Sequence, residues 1–149
     1  MSEYFSQAYI VDGIRTAAGR RNGSLSQIHP VDLGAAVVDE LLDRSRLPGD
    51  VIDDVIFGCV SQMGAQANNI ARNVVLASRL PLEVPGVTVD RQCGSSLQAI
   101  HFGAQAVMSG TQDMIICGGV EVMSLLPLGS TVTDVQSLGR GMPRGEPVS

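Results

Sequence analysis

Four short apolar segments alternate with three segments of helical period along this chain, and this alternation restricts its fold more than any other feature. The apolar segments are "QAYIV" at 7–11, "VIDDVIFGCV" at 51–60, "GVTVD" at 86–90 and "DMIICGGV" at 113–120. Because they are short and rich in valine and isoleucine, they favour strands over helices. Alternation with short connections is typical of a mostly parallel sheet covered by helices. The predicted fold class is therefore α/β, in the order β-α-β-α-β-α-β.

The three helical segments carry start and stop signals. The first begins at Pro30, with Asp32 in its first turn. The second, "NNIARNVVLASRL", begins with asparagines suited to an N-cap and stops before Pro81. The third, "SSLQAIHFGAQAVMSG", is closed by Gly110. Each predicted boundary therefore has a local physical cause.

Composition indicates a folded protein and argues against several classes of function. With 149 residues, of which 44% are hydrophobic and 17% charged, the chain is long enough for one domain with a core. A formal net charge of -5, without a basic stripe carrying interleaved aromatic residues, argues against a nucleic-acid partner. The sequence shows neither a basic leader segment nor a long apolar run, so we expect a cytoplasmic protein without a membrane partner.

The three cysteines, at positions 59, 93 and 117, call for separate interpretations. An odd number without a CxxC motif argues against a disulfide framework and against a zinc site, and no metal is expected. Cys59 and Cys117 lie in apolar strand segments, where a free cysteine behaves as a small hydrophobic residue. Cys93 instead follows the predicted strand at 86–90. Ligands of parallel sheets bind at the carboxyl ends of strands, so Cys93 is the candidate for chemistry.

The segment around Cys93, "VDRQCGSSLQAI" at 89–100, has two interpretations. In the first, the amides and the dipole at the start of the following helix lower the pKa of the thiol and make it a nucleophile. Gly94 then keeps the turn open, Ser95 and Ser96 can cap the helix, and backbone N–H groups can stabilise an oxyanion. In the second, Cys93 is a buried residue packed below the helix.

A nucleophilic cysteine usually needs a base within hydrogen-bonding distance, and the chain has two histidines. His101 lies eight residues further along the same predicted helix, a rise of about 12 Å. His29, beside Pro30, is expected to be a surface or capping residue. The sequence therefore supplies a nucleophile without an evident base.

Four segments together resemble the thiolases, the coenzyme A-dependent acyltransferases that form or cleave 3-ketoacyl-CoA. "VDRQCGSSLQAI" is similar to the nucleophile segment of that family. "RTAAGRRNGSL", "GCVSQMGAQANNIAR" and "GGVEVMS" agree with its other segments in order and spacing. The resemblance runs from about Ala8 to Ser124, with Ala17 and Ala18 near a position where proline is usual. It implies a thiolase-like N-terminal α/β domain, with a mostly parallel mixed sheet, over 1–124. The start of a truncated and poorly ordered loop region is then expected over 125–149.

The resemblance also implies a mechanism. Cys93 would carry the acyl group as a thioester, and its backbone N–H would be one donor of an oxyanion hole. Coenzyme A and acyl-CoA or 3-ketoacyl-CoA would be substrates, with no covalently bound cofactor. The family's catalytic histidine, its second cysteine and most of its coenzyme A-binding region belong to a C-terminal half that follows these residues. We therefore expect this chain to be inactive alone and to need a complementing half, and the family implies a homo-oligomer joined through the N-terminal half.

Two other functions remain open from the residues alone. The chain could be a non-catalytic acyl-CoA-related binding or dimerisation module whose cysteine is at most acylated. It could also be a ketoacyl synthase-like condensing enzyme acting on an acyl carrier protein. "QCGSSLQA" and "GGVEVMS" favour the thiolase interpretation, and the acyl chain length and the choice between steroid and fatty substrates stay open.

Overall fold

The computed structural model describes residues 7–131, which form three helices and three strands. In chain order these are α1 (Pro30–Ser45), β1 (Asp54–Gly58), α2 (Ile70–Ala77), β2 (Gly86–Val89), α3 (Ser95–Ser109) and β3 (Ile115–Gly119), with 3₁₀ turns at Gly49–Val51 and Gly64–Gln66. From α1 onward the elements follow the predicted alternation, and none of the described helices is long and apolar enough to cross a membrane.

The three strands form one parallel sheet in the order β2-β1-β3. Val55 of β1 pairs with Gly86 of β2 on one side and with Ile116 of β3 on the other. The central strand is buried along nearly its whole length, as expected when helices cover both faces of a parallel sheet. This arrangement confirms the predicted α/β class, and it brings the C-terminal ends of all three strands to one edge of the sheet.

The strand predicted at 7–11 is wrong, because these residues form no strand. Tyr9 and Ile10 are 76% and 82% exposed. The segment does not pair with β3. Both line one cleft of about 1410 Å³. Strand propensity describes how well a residue fits a sheet that already exists, and in the described residues no strand pairs with this segment.

The helix boundaries follow the predicted signals except at the end of α2, which stops at Ala77 instead of continuing to the predicted stop before Pro81. His29 is the N-cap of α1, and its Nδ1 accepts a hydrogen bond from the Val31 N–H at 3.2 Å. Asn69 caps α2 in the same way, because its Oδ1 accepts from the Arg72 N–H at 3.1 Å. Helix α3 ends at Gly110, whose φ of 74° is in the left-handed region that glycine adopts without strain.

One core connects the sheet to α1 and α2 and includes Val38, Leu42, Val55, Phe57, Val74 and Ile116. Gly34 brings the two helices close together, because a Cβ added there would lie 2.5 Å from Cγ2 of Val74. The sheet therefore rests on a packed helical layer. Residues 132–149, most of the loop region predicted at 125–149, lie outside the described residues, so the boundary predicted after Ser124 stays a prediction.

Candidate active site

Cys93 lies in the turn between β2 and α3, at the C-terminal edge of the sheet, and it is exposed. The predicted position at a strand end is confirmed, while the alternative of a cysteine buried below the helix is not. Gln92, which directly precedes it, has a φ of 45°. A left-handed backbone is uncommon for a residue other than glycine, and such strain concentrates at functional sites.

Side chains of the same segment hold this strained turn. Asp90 Oδ1 accepts a hydrogen bond from the Gln92 N–H at 2.7 Å. The Ser95 hydroxyl accepts from the Arg91 N–H at 3.0 Å and donates to the Gln92 carbonyl at 2.7 Å. The Arg91 guanidinium in turn donates to the side chain of Gln98 in α3. The backbone on both sides of Gln92 is therefore fixed by hydrogen bonds.

The predicted serine cap of α3 is wrong. Its N-cap is Gly94, which offers no side chain, and no side-chain cap hydrogen bond forms. Ser95 is the first residue of the helix, only 6% exposed, and its hydroxyl turns back to the preceding turn instead of bonding to the helix amides. The amides of the first helical turn are therefore not occupied by a capping side chain.

Two glycines let the first turn of α3 rest directly on the sheet. A Cβ added to Gly58, at the end of β1, would overlap the backbone of Ser95 and Ser96. A Cβ added to Gly119, at the end of β3, would lie 2.6 Å from the Gly58 carbonyl oxygen and overlap the Ser96 hydroxyl. This close approach sets the distance between the first turn of α3 and the strand ends.

The other two cysteines lie in environments that keep their thiols protonated. Burial, together with the nearby charges of Glu121 and Asp90, raises the pKa of Cys59 to about 12. Burial raises the pKa of Cys117 to about 11. Because the thiolate is the nucleophilic form, both residues are poor nucleophiles at neutral pH. Their surroundings agree with the structural roles predicted for them.

Neither histidine serves Cys93 as a base within the described residues. The imidazole of His29 caps α1, and His101 is exposed further along α3. Neither forms a hydrogen bond with Cys93. Residues 7–131 also contain no group of three or more His, Cys, Asp or Glu side chains arranged to hold a metal ion.

A polar network beside the turn was not anticipated from the sequence. The Glu121 carboxylate accepts hydrogen bonds from the N–H groups of Val60 and Ser61, at 2.8 and 3.2 Å, and from Gln66 Nε2 at 2.7 Å. Gln66 is fully buried, and its Oε1 accepts from the Val122 N–H at 2.7 Å. Two of the segments noted above, at 58–72 and 118–124, are thus joined at the strand ends. Glu121, the one charged residue of the segment at 118–124, was the available signal.

The cleft of about 1410 Å³ is separate from this turn. It is lined by the N-terminal segment, α1, α3 and β3, and Cys93 is not among its lining residues. We therefore assign no substrate to the cleft.

Comparison with known proteins gives one consistent family. The family model described as "Thiolase, N-terminal domain" matches residues 8–143. Over 95% of its length the chain is 55% identical to a steroid 3-ketoacyl-CoA thiolase of Mycobacterium tuberculosis, covering 35% of that protein. It is 48% identical, over 81% of its length, to a 3-oxoadipyl-CoA/3-oxo-5,6-dehydrosuberyl-CoA thiolase of Escherichia coli, of which it covers 30%.

A further relative is a 3-ketoacyl-CoA thiolase of Yersinia enterocolitica, 43% identical over 88% of the chain and covered to 34%. The chain thus spans roughly a third of the length of the curated relatives it matches.

Proposed function

This chain belongs to the thiolase family, and we propose that it forms or cleaves 3-ketoacyl-CoA through an acyl thioester on Cys93. The observation that carries the proposal is an exposed cysteine in a strained turn, at the strand edge where parallel sheets bind ligands. The other two cysteines have raised pKa values and are buried or partly buried, so they are poor alternatives.

In the direction of cleavage, the Cys93 thiolate attacks the 3-keto carbonyl carbon of the substrate. The bond between C2 and C3 breaks, the acyl group stays on sulfur, and the carbanion of acetyl-CoA takes up a proton. Coenzyme A then attacks the thioester, which releases the shortened acyl-CoA and the free thiol. Splitting one difficult step into two through a covalent intermediate is the general advantage of nucleophilic catalysis. In each step the Cys93 N–H stabilises the developing oxyanion.

The proton transfers need a base, and neither His29 nor His101 bonds to Cys93. We therefore propose that a polypeptide region beyond residues 7–131, in this chain or in a complementing one, supplies the base and most of the coenzyme A contacts. By this proposal the described residues support at most the first half-reaction. Coenzyme A enters as substrate, no covalently bound cofactor is required, and the cytoplasm is the proposed location.

A homo-oligomer is the proposed assembly. Strand β2 is an outer strand of the described sheet, and Val87 within it is 42% exposed. Leu82 before it and Leu97 in α3 are 65% and 58% exposed. An open strand edge beside apolar side chains is a ready surface for pairing with another chain. These features support assembly through this part of the molecule.

We propose a bulky, ring-containing acyl group as the preferred substrate group. The support is the identity of 55% to a steroid 3-ketoacyl-CoA thiolase, against 43% to a 3-ketoacyl-CoA thiolase whose name specifies no ring. A straight-chain 3-ketoacyl-CoA is the competing substrate. Both would use the same cysteine, so substrate choice is tested separately from chemistry.

The test is release of acetyl-CoA from a panel of 3-ketoacyl-CoA esters, namely acetoacetyl-CoA, a medium straight-chain ester and a steroid-derived ester. With the purified chain alone we expect release of no more than one equivalent per Cys93, because deacylation lacks its base. Cys93→Ala should release none. Release by Cys93→Ala would show that Cys93 is not the nucleophile. Binding of the esters without any release by the intact chain would instead favour a non-catalytic module.

A further inference from the structure

We propose that Ser95 is a positioning residue, which orients the Cys93 N–H for oxyanion binding by holding the carbonyl of the same peptide group. This inference rests on the proposed role of Cys93 and adds a residue to it. The Ser95 hydroxyl donates to the Gln92 oxygen at 2.7 Å, and the Ser95 N–H approaches the same oxygen at 3.3 Å.

The peptide geometry carries the first step. The Gln92 carbonyl and the Cys93 N–H belong to one peptide unit, which is planar and trans. In a trans peptide the C=O and the N–H point in opposite directions. Two hydrogen bonds that fix the direction of the Gln92 oxygen therefore also fix the direction of the Cys93 N–H.

The backbone strain at Gln92 explains why hydrogen bonds are needed to fix the direction of its carbonyl. A left-handed residue other than glycine persists only where its surroundings impose it. Asp90 holds the N–H of Gln92 at 2.7 Å, and Ser95 holds its carbonyl. The Ser95 hydroxyl also accepts from the Arg91 N–H at 3.0 Å, which ties it to both sides of the strained residue. With this hydroxyl removed, the Gln92 oxygen keeps only the longer hydrogen bond from the Ser95 N–H, at 3.3 Å, so the peptide between Gln92 and Cys93 is held less firmly.

The burial of Ser95 supports a specific role. It is 6% exposed and both of its hydrogen bonds are made to the turn, whereas a surface serine at a helix start would be solvated. Ser26 offers a matched control, since it is also 6% exposed and its hydroxyl donates to the carbonyl three residues earlier, Gly23, at 2.7 Å. Ser26 lies before α1, away from the Cys93 turn in the chain.

The test compares two reactions of the Cys93 thiol in the full chain. Acetylation by p-nitrophenyl acetate proceeds through a tetrahedral oxyanion: the thiolate attacks the carbonyl and p-nitrophenolate leaves. Alkylation by iodoacetamide displaces iodide at a saturated carbon and forms no oxyanion. The ratio of the two rate constants, measured by intact mass with peptide mapping, therefore reports oxyanion stabilisation. Neither reagent contains coenzyme A, so the ratio is measured independently of the proposed thiolase reaction.

For Ser95→Ala we expect the acetylation rate to fall about 10- to 100-fold while alkylation changes less than about threefold, because a misdirected oxyanion donor affects only the first reaction. Ser26→Ala should leave the ratio unchanged. As a second variant pair, Asp90→Ala should lower the ratio, and Asp90→Asn, which keeps an acceptor oxygen for the Gln92 N–H, should restore it. An unchanged ratio in Ser95→Ala, or an equal loss of both rates, would overturn the orienting role.

Discussion

At the scale of single residues, the three cysteines lie in different environments. Cys93 is exposed in a turn, Cys59 is buried at the end of β1, and Cys117 packs against Gly103 of α3. The sequence correctly separated the exposed Cys93 from the other two, but it placed Cys59 inside a strand, whereas Cys59 follows directly after β1 and is buried there. It could not predict the left-handed Gln92, since that conformation depends on hydrogen bonds from Asp90 and Ser95.

The raised pKa values of Cys59 and Cys117 predict a loss of stability at alkaline pH. An unfolded thiol ionises near its ordinary value of 9.0, but these two ionise near 12 and 11 when folded. Below pH 9.0 both states keep the protons. Above it the unfolded state loses them first, so the free energy of unfolding falls as pH rises towards 11.

Urea denaturation at about pH 8 and about pH 10.5 measures this effect. Between these conditions Cys117→Ala should lose less stability than the unmodified chain, because one of the two thiols is gone. An identical loss in Cys117→Ala and the unmodified chain would contradict the assignment.

At the scale of elements, most helix ends were predictable from the sequence, whereas the contact between α3 and the ends of the strands was not. Pro30, the Asn69 cap and Gly110 are local signals, and the structure uses each of them where expected. The direct contact of α3 with the strand ends depends on Gly58 and Gly119, which are distant from each other in sequence. A glycine in a strand indicates close approach, but it does not identify the element that approaches.

The direct contact of α3 with the end of β1 predicts that Gly58→Ala is strongly destabilising. The new methyl group would overlap the backbone of Ser95 and Ser96, which cannot move aside as a flexible side chain could. We expect a loss of about 2 kcal/mol or more in the free energy of unfolding, by urea denaturation. Gly13→Ala is the matched control, since a Cβ there meets nothing within 4 Å and should change stability by less than about 0.5 kcal/mol. Equal effects of the two substitutions would refute the claim that Gly58 is needed for the contact between α3 and β1.

At the scale of the whole molecule, one error of prediction has a physical cause. "QAYIV" has the composition of a strand, but a strand needs a partner, and pairing depends on the arrangement of the whole sheet. In the described residues this segment lines the wide cleft beside β3, with Ile10 and Tyr9 exposed. The parallel order of the other strands was predictable, since short strands separated by helices leave few alternatives.

The network of Gln66 and Glu121 belongs to the same scale. It connects segments 55 residues apart, the separation of those two side chains, and no local pattern predicts such a contact. Of the four segments that resemble thiolases, three meet at the C-terminal edge of the sheet. That edge carries Cys93, and the fold therefore supports the proposed site as a unit.

The most direct test of the account is intact-mass spectrometry of the chain after exposure to acetoacetyl-CoA, with peptide mapping of any adduct. We predict one acetyl group, removable by hydroxylamine as a thioester is, confined to Cys93 and absent from Cys93→Ala. A circular dichroism spectrum of each sample would confirm that it is folded. An acetyl group that persists in Cys93→Ala, or one that maps to a residue other than Cys93, would contradict the claim that Cys93 is the acyl carrier.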